Sequence, residues 1–244
     1  METDDSIVTR EEFLARHGST FESLELVRER ADPCRGNGDF NRAAKQMGVW
    51  ANGRCAIDDY HPAFPLLPDI AMFEPNERGV SAFDRFLSGP ARYLPEHAAA
   101  MAKRMARARY SLFKSPGRHD IGGVWLEDLL DGGRRIWLAD LKLEKQDLDG
   151  KVFGLRVVDA GPFHVGLGIL VVTSAKIADV CNEAIRRTGR HPFPDCLAGA
   201  LFGLSYVAAN RDNPAVVRYG KRIITALAAY SLAAGGTGDK PGKS

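Results

Sequence analysis

One change of rhythm constrains this chain more than any other feature. In the segments of the first 110 residues that read as helices, apolar side chains recur at three- and four-residue steps, and from Ser111 the step becomes two. "GVWLEDLLDGGRRIWLAD" places apolar runs on either side of Asp131-Gly132-Gly133, a strong hairpin signal because tight hairpin turns need positive φ, which glycine adopts without strain. "KVFGLRVVDAGPFHVGLGILVVTS" reads as two strands about Gly161-Pro162. Phe153, Leu155 and Val157 share one face of the first; Phe163, Val165, Leu167, Ile169 and Val171 share one face of the second. Short antiparallel strands with tight turns leave unpaired edges, and closing the sheet removes them. The expected fold class is therefore α+β: a central small antiparallel β-barrel or curved sheet over 111–174, flanked by N-terminal and C-terminal helices.

The flanks divide by composition. Residues 1–110 read as a helical region. Thr9-Arg10-Glu11-Glu12 has the capping-box pattern, and Ser19-Thr20-Phe21-Glu22 repeats it before Phe21, Leu24 and Val27. Asp39 is placed to cap a helix over "FNRAAKQMGVW". Pro62, Pro65, Pro68 and Pro75 make 55–79 a proline-rich loop or run of turns, since proline removes backbone donors. A helix is expected over 91–110, beginning near Pro95, with Leu94, Ala98, Met101, Met105, Ala108 and Leu112 as its buried stripe. Residues 175–234 read as Ala- and Gly-rich C-terminal helices, and 235–244, "GGTGDKPGKS", as a flexible tail with nothing to bury.

Gly166 and Gly168 invite comparison with a phosphate-binding loop. Such a loop needs a helix N-terminus immediately after it to aim N–H groups at the anion. Here Ile169-Leu170-Val171-Val172-Thr173 follows, a β-branched run that continues a strand. The glycines are expected to permit bending or close backbone approach.

Bulk charge excludes little: 244 residues carry a net charge of only +2. Its distribution is uneven, with ten acids against five arginines over 1–40 and six bases against Glu96 alone over 92–114. No run approaches eighteen apolar residues, so no membrane span is expected, and the acidic start is no secretory signal. Four cysteines without a C-x-x-C pair point to reduced thiols and a cytoplasmic location.

Four chemistries are open. Arg104, Arg107 and Arg109, with Arg134 and Arg135 at the hairpin tip, can contact nucleic-acid phosphates, while Trp125 and Trp137 share a strand face and form a candidate exposed stacking pair. Cys55 and His61, joined by the fold to His191 and Cys196, would give a tetrahedral zinc set, at spacings wider than the usual fingers. Asp58, Asp59 and His61, with Asp69 and Glu74 downstream, suit metal-assisted hydrolysis in the 55–74 loop. His164 is a further catalytic candidate, with Arg156 expected across the sheet from it. The fourth role is protein interaction, including a second subunit joined through the apolar face of 214–234, which would make a homo-oligomer. No signature names a cofactor, a nucleophile elbow or an H-E-x-x-H pair.

The succession "RYLPEHAAAMAKRMARARYSLFK", "GGVWLEDLLDGGRRIWLAD", "LDGKVFGLRVVDAGPFHVGLG" resembles a region of uncharacterised bacterial proteins, some of which carry a SEC-C zinc motif near an end. The resemblance covers about residues 90–172 and implies the helix-then-barrel layout and no established activity. This sequence lacks a close cysteine–histidine cluster of the SEC-C kind, so the zinc module is expected to be absent. The sequence reading is an intracellular binding or adaptor protein with a nucleic-acid contact; the alternative is a metal-assisted hydrolase.

Overall fold

The computed structural model describes residues 7–47, 49–57, 64, 66–148, 151–167, 171–173 and 179. The helices expected over 175–234 and the tail 235–244 lie, but for Asp179, outside the described residues.

The protein is α+β, with a small closed barrel clothed in helices. Eight strands are described. β1 (Trp50–Ala51) and β2 (Arg54–Cys55) form a small hairpin inside the helical region. Its turn is Asn52-Gly53, both at positive φ, a hairpin signal within "WANGRC" that the sequence reading missed. The barrel strands are β3 (Arg109–Arg118), β4 (Val124–Asp128), β5 (Arg134–Leu138), β6 (Val152–Asp159), β7 (His164–Gly166) and β8 (Val171–Thr173). Their order is β3-β4-β5-β7-β6, and β3 closes the ring by pairing along the whole of its first half with β6.

Closure depends on two irregularities. Between Lys114↔Glu127 and Gly117↔Trp125, β3 carries one residue more than β4. This bulge bends β3 so that it reaches both β4 and β6, and it seats Pro116 where no ladder donor is required. The second lies beside β6, where β7 and β8 run end to end. From Val157↔Gly166 to Gly154↔Val171 the partner strand takes five steps to three on β6. The single strand expected from Phe163 onward is thus two strands with a changed register. Gly168 and Ile169 lie outside the described residues, and the chain after them is strand β8 rather than a helix. The barrel is also not wholly antiparallel: β5 and β7 run parallel at Leu138↔His164. Sequence alternation fixes which side chains share a face, but not which strands become neighbours on closure.

Phe113, Val124, Leu126, Ile136, Leu138, Phe153, Leu155 and Val157 fill the barrel. Its outside is covered on two sides. Helix α1 (Arg10–Ala31), helix α4 (Ala82–Ser88) and helix α5 (Glu96–Met105) pack on β5 and β7, joining Phe13, Val27, Phe86 and Met105 to Trp137, Phe163 and Val165. Helix α2 (Asn37–Gln46) and helix α3 (Leu66–Phe73) pack on β3 and β6 against Tyr110, Leu112 and Val152. β6 is therefore buried on both faces from Val152 to Val158.

The helices depart from expectation at identifiable points. The Thr9–Glu12 capping box starts α1, but α1 runs unbroken through Ser19 and Thr20, so the second box caps nothing and Phe21 is left exposed. Asp39 occupies the third position of α2 and accepts from Gly36 N–H at 2.9 Å, rather than serving as the cap itself. The 55–79 stretch is not all loop: α3 forms within it because Pro68 falls in the first turn, where its missing donor has no partner to lose. The helix expected over 91–110 is α5 alone, with Pro95 as its cap; Arg109 and Leu112 belong to β3.

Candidate functional site

Two regions concentrate chemistry. The first is the outer face of β3–β4–β5, which α1 only partly covers. Two rows cross it: Lys114↔Glu127↔Arg135 and Gly117↔Trp125↔Trp137. The two tryptophans are direct cross-strand partners, but they are not an exposed pair. Trp137 is buried: Phe13 stacks on it with centroids 5.4 Å apart, His119 lies parallel to it at 3.9 Å, and its Nε1–H donates to Gly122 O at 2.6 Å. An indole against an apolar helix face is buried more readily than exposed once its N–H has an acceptor. Trp125 is half-buried, with the Arg135 guanidinium 4.6 Å above its ring and His119 at 4.5 Å. Burial lowers the His119 pKa; Asp120 opposes this and Arg135 adds to it. Beside Trp125, Gly117 leaves open space where a side chain would stand. Sequence reading missed Lys114 and His119 on this face; Lys114 stands in β3 at the start of the bulge and His119 follows directly on the end of that strand.

The other arginines gather at the end of the barrel. Arg104 donates to Asp159 O at 3.1 Å. Arg109 reaches Asp128 Oδ2 at 2.7 Å and Asp131 at 3.4 Å, and Arg134 lies 3.9 Å from the same Asp131. Asp128 is fully buried and also accepts from Ser111 Oγ at 2.5 Å and Leu130 N–H at 3.0 Å, so Arg109 neutralises a carboxylate that holds the hairpin. Arg107, exposed between α5 and β3, has no ion pair among the described residues. His164 sits at this end, opposite Asp159; burial lowers its pKa, with Arg134 and Arg109 adding to the effect and Asp159 opposing it.

The second region is a cleft of about 300 Å³ where α1, α3 and α4 meet the barrel. Met72, Phe83, Met105 and Leu167 contribute its apolar lining, and Arg28, Arg35 and Asp69 its charges. Behind Asp69 lies a buried triad. Arg156 Nε donates to both Asp69 oxygens at 3.1 Å, and its Nη2 donates to Glu74 Oε1 at 2.7 Å. Burial raises the Asp69 pKa against the pull of Arg156. Burial opposes the Arg156 charge, and the two carboxylates more than compensate, raising its pKa. Arg156 therefore does not face His164 as expected. It points to the opposite side of the barrel wall, into the helices, because α3 brings an acid there. Asp69 and Glu74 are both engaged in this triad.

Asp58, Asp59, His61, His191 and Cys196 lie outside the described residues, and Cys55 stands at the end of β2. Among the described residues no three His, Cys, Asp or Glu side chains cluster closely enough to hold a metal ion. No helix among them is long and apolar enough to cross a membrane.

A family of unknown function (DUF7986) matches residues 25–188. The chain belongs to that family. The match spans helices and barrel together, wider than the 90–172 region of resemblance, and no SEC-C motif is matched. None of the curated proteins and none of the solved structures matches the chain.

Proposed function

We propose that this protein is a non-catalytic binding protein that takes single-stranded nucleic acid across the open part of the β3–β4–β5 face. The strand order β3-β4-β5-β7-β6, with the first strand paired to second and fourth and the third parallel to the fifth, is the connectivity of OB-type Greek-key barrels. Such barrels bind oligonucleotides on their second and third strands and adjoining loops. Connectivity alone does not carry function. The observation that carries the reading is Trp125, capped by Arg135 and bordered by the empty space at Gly117. Displacing a mobile guanidinium from an indole face opens a stacking platform for a base, and Arg135 and Lys114 are within the same face to meet phosphates. Arg107 extends the basic path at the barrel end, whereas Arg104, Arg109 and Arg134 are paired with acids and contribute less. Trp137 serves α1 docking.

Fluorescence anisotropy with short labelled oligo-U and oligo-dT tests this. Three phosphate contacts predict a slope of roughly −2 for log K against log salt, and Arg135→Glu should flatten it by roughly 0.7 or more. Trp125→Ala should remove about 1–3 kcal/mol of binding. No binding to either polymer at low salt, or binding indifferent to both substitutions, would exclude the reading.

A further inference from the structure

The cleft beneath α1 carries a second inference, independent of the strand face. Its polar groups are not equally satisfied. The Asp69 carboxylate is held by Arg156, and the Asp32 carboxylate by Arg35. On the donor side, Arg35 Nε–H is buried without a hydrogen-bond acceptor among the described residues, and Arg28 at the mouth, half-exposed, pairs with the rim acid Glu25 at 3.1 Å and adds its attraction to Asp69. A buried donor without an acceptor is a costly feature that native structures keep rare. Beneath these guanidiniums the floor is apolar, built from Met72, Phe83, Met105 and Leu167, and the volume is at the small end of ligand cavities.

From this asymmetry we propose that the cleft binds a small organic carboxylate with an apolar body. The carboxylate accepts from Arg35 and Arg28, and the aliphatic or aromatic body displaces water from the floor. Arg is suited to this because its planar fork matches a carboxylate in two parallel hydrogen bonds. A cationic ligand is disfavoured, since the acidic groups of the cleft are already engaged.

Octanoate, 4-phenylbutyrate, octanol and acetate discriminate the terms when titrated against the full chain by calorimetry, with thermal shift in parallel. Octanoate or 4-phenylbutyrate should bind and raise the melting temperature with dose. Octanol, lacking the anion, and acetate, lacking the body, should each bind at least about tenfold more weakly. Arg28→Glu, a change on a half-exposed side chain, should weaken octanoate about tenfold, with the melting temperature of the unliganded variant measured beside it. Arg35→Gln should do the same where it folds. Equal binding of octanol and octanoate, affinity unchanged by Arg28→Glu, or no binding of either acid would each overturn the proposal. The oligonucleotide result leaves this one untouched in either direction, because Trp125 and Arg135 do not line the cleft.

Discussion

Replacing Arg156 by methionine leaves two carboxylates in an apolar interior. Arg156 is 4% exposed and is the partner of both Asp69 and Glu74. Removing one member of a buried ionic group while its counter-charges stay costs about 3–5 kcal/mol, most of it the penalty of the stranded charge. With a urea m-value of about 3 kcal/mol/M for a chain of this size, the midpoint should fall by roughly 1–1.7 M. The loss should depend on pH. Burial already holds Asp69 above the ordinary carboxylate range. A carboxyl raised in the folded state contributes stability below its unfolded pKa and loses that contribution as pH rises through the folded value. Without the guanidinium, Asp69 rises further, so the deficit of Arg156→Met is largest near pH 7 and shrinks toward about pH 4, where the carboxyls protonate. Adding Asp69→Asn and Glu74→Gln to the methionine variant should recover a large part of the loss at neutral pH and little at acid pH. Urea melts followed by circular dichroism at both pH values measure all of this. A neutral-pH cost below about 1 kcal/mol, or a cost that does not change with pH, would refute the view that the triad is charged, buried and mutually compensating.

Two further perturbations address how helices and barrel are joined. Phe13→Ala removes a fully buried ring that stacks on Trp137 and meets Phe163 edge-on at 5.8 Å; the expected loss is about 3–5 kcal/mol, with a red shift of tryptophan emission as α1 loosens from β5. Gly123→Ala places a methyl against the Leu138 carbonyl at a residue with φ of 73°, and should cost about 2–4 kcal/mol in thermal melts, whereas Gly132→Ala at the open hairpin tip, with φ of 62°, meets only the backbone strain of about 1 kcal/mol.

Much of the fold was legible because it is local. The Thr9–Glu12 box, the Asp131-Gly132-Gly133 turn and the Gly161-Pro162 turn each act within a few residues, and each stands in the structure where the sequence puts it. The candidate site was less so. Trp125 and Trp137 share a face as expected, and Arg135, expected at the hairpin tip, touches Trp125 on it, yet Trp137 is buried, because an alternating pattern reports which side chains share a face and not whether a helix comes to lie on that face. The Arg156 triad and the cleft were hidden for a stronger reason. Their members come from residues 28, 35, 69, 74 and 156, and only the packing of α1 and α3 on a closed barrel brings them together.

The sequence by itself determined where the period changes, which glycines turn the strands, and hence an α+β chain with a small barrel. These are properties of short stretches, set by backbone geometry and side-chain spacing. Only the tertiary structure decided that β5 lies parallel to β7, that α1 covers Trp137, and that Arg156 meets two acids from α3 and its following turn. Those follow from closure and burial, which couple residues far apart in the chain through a shared interior, and no local pattern records that coupling.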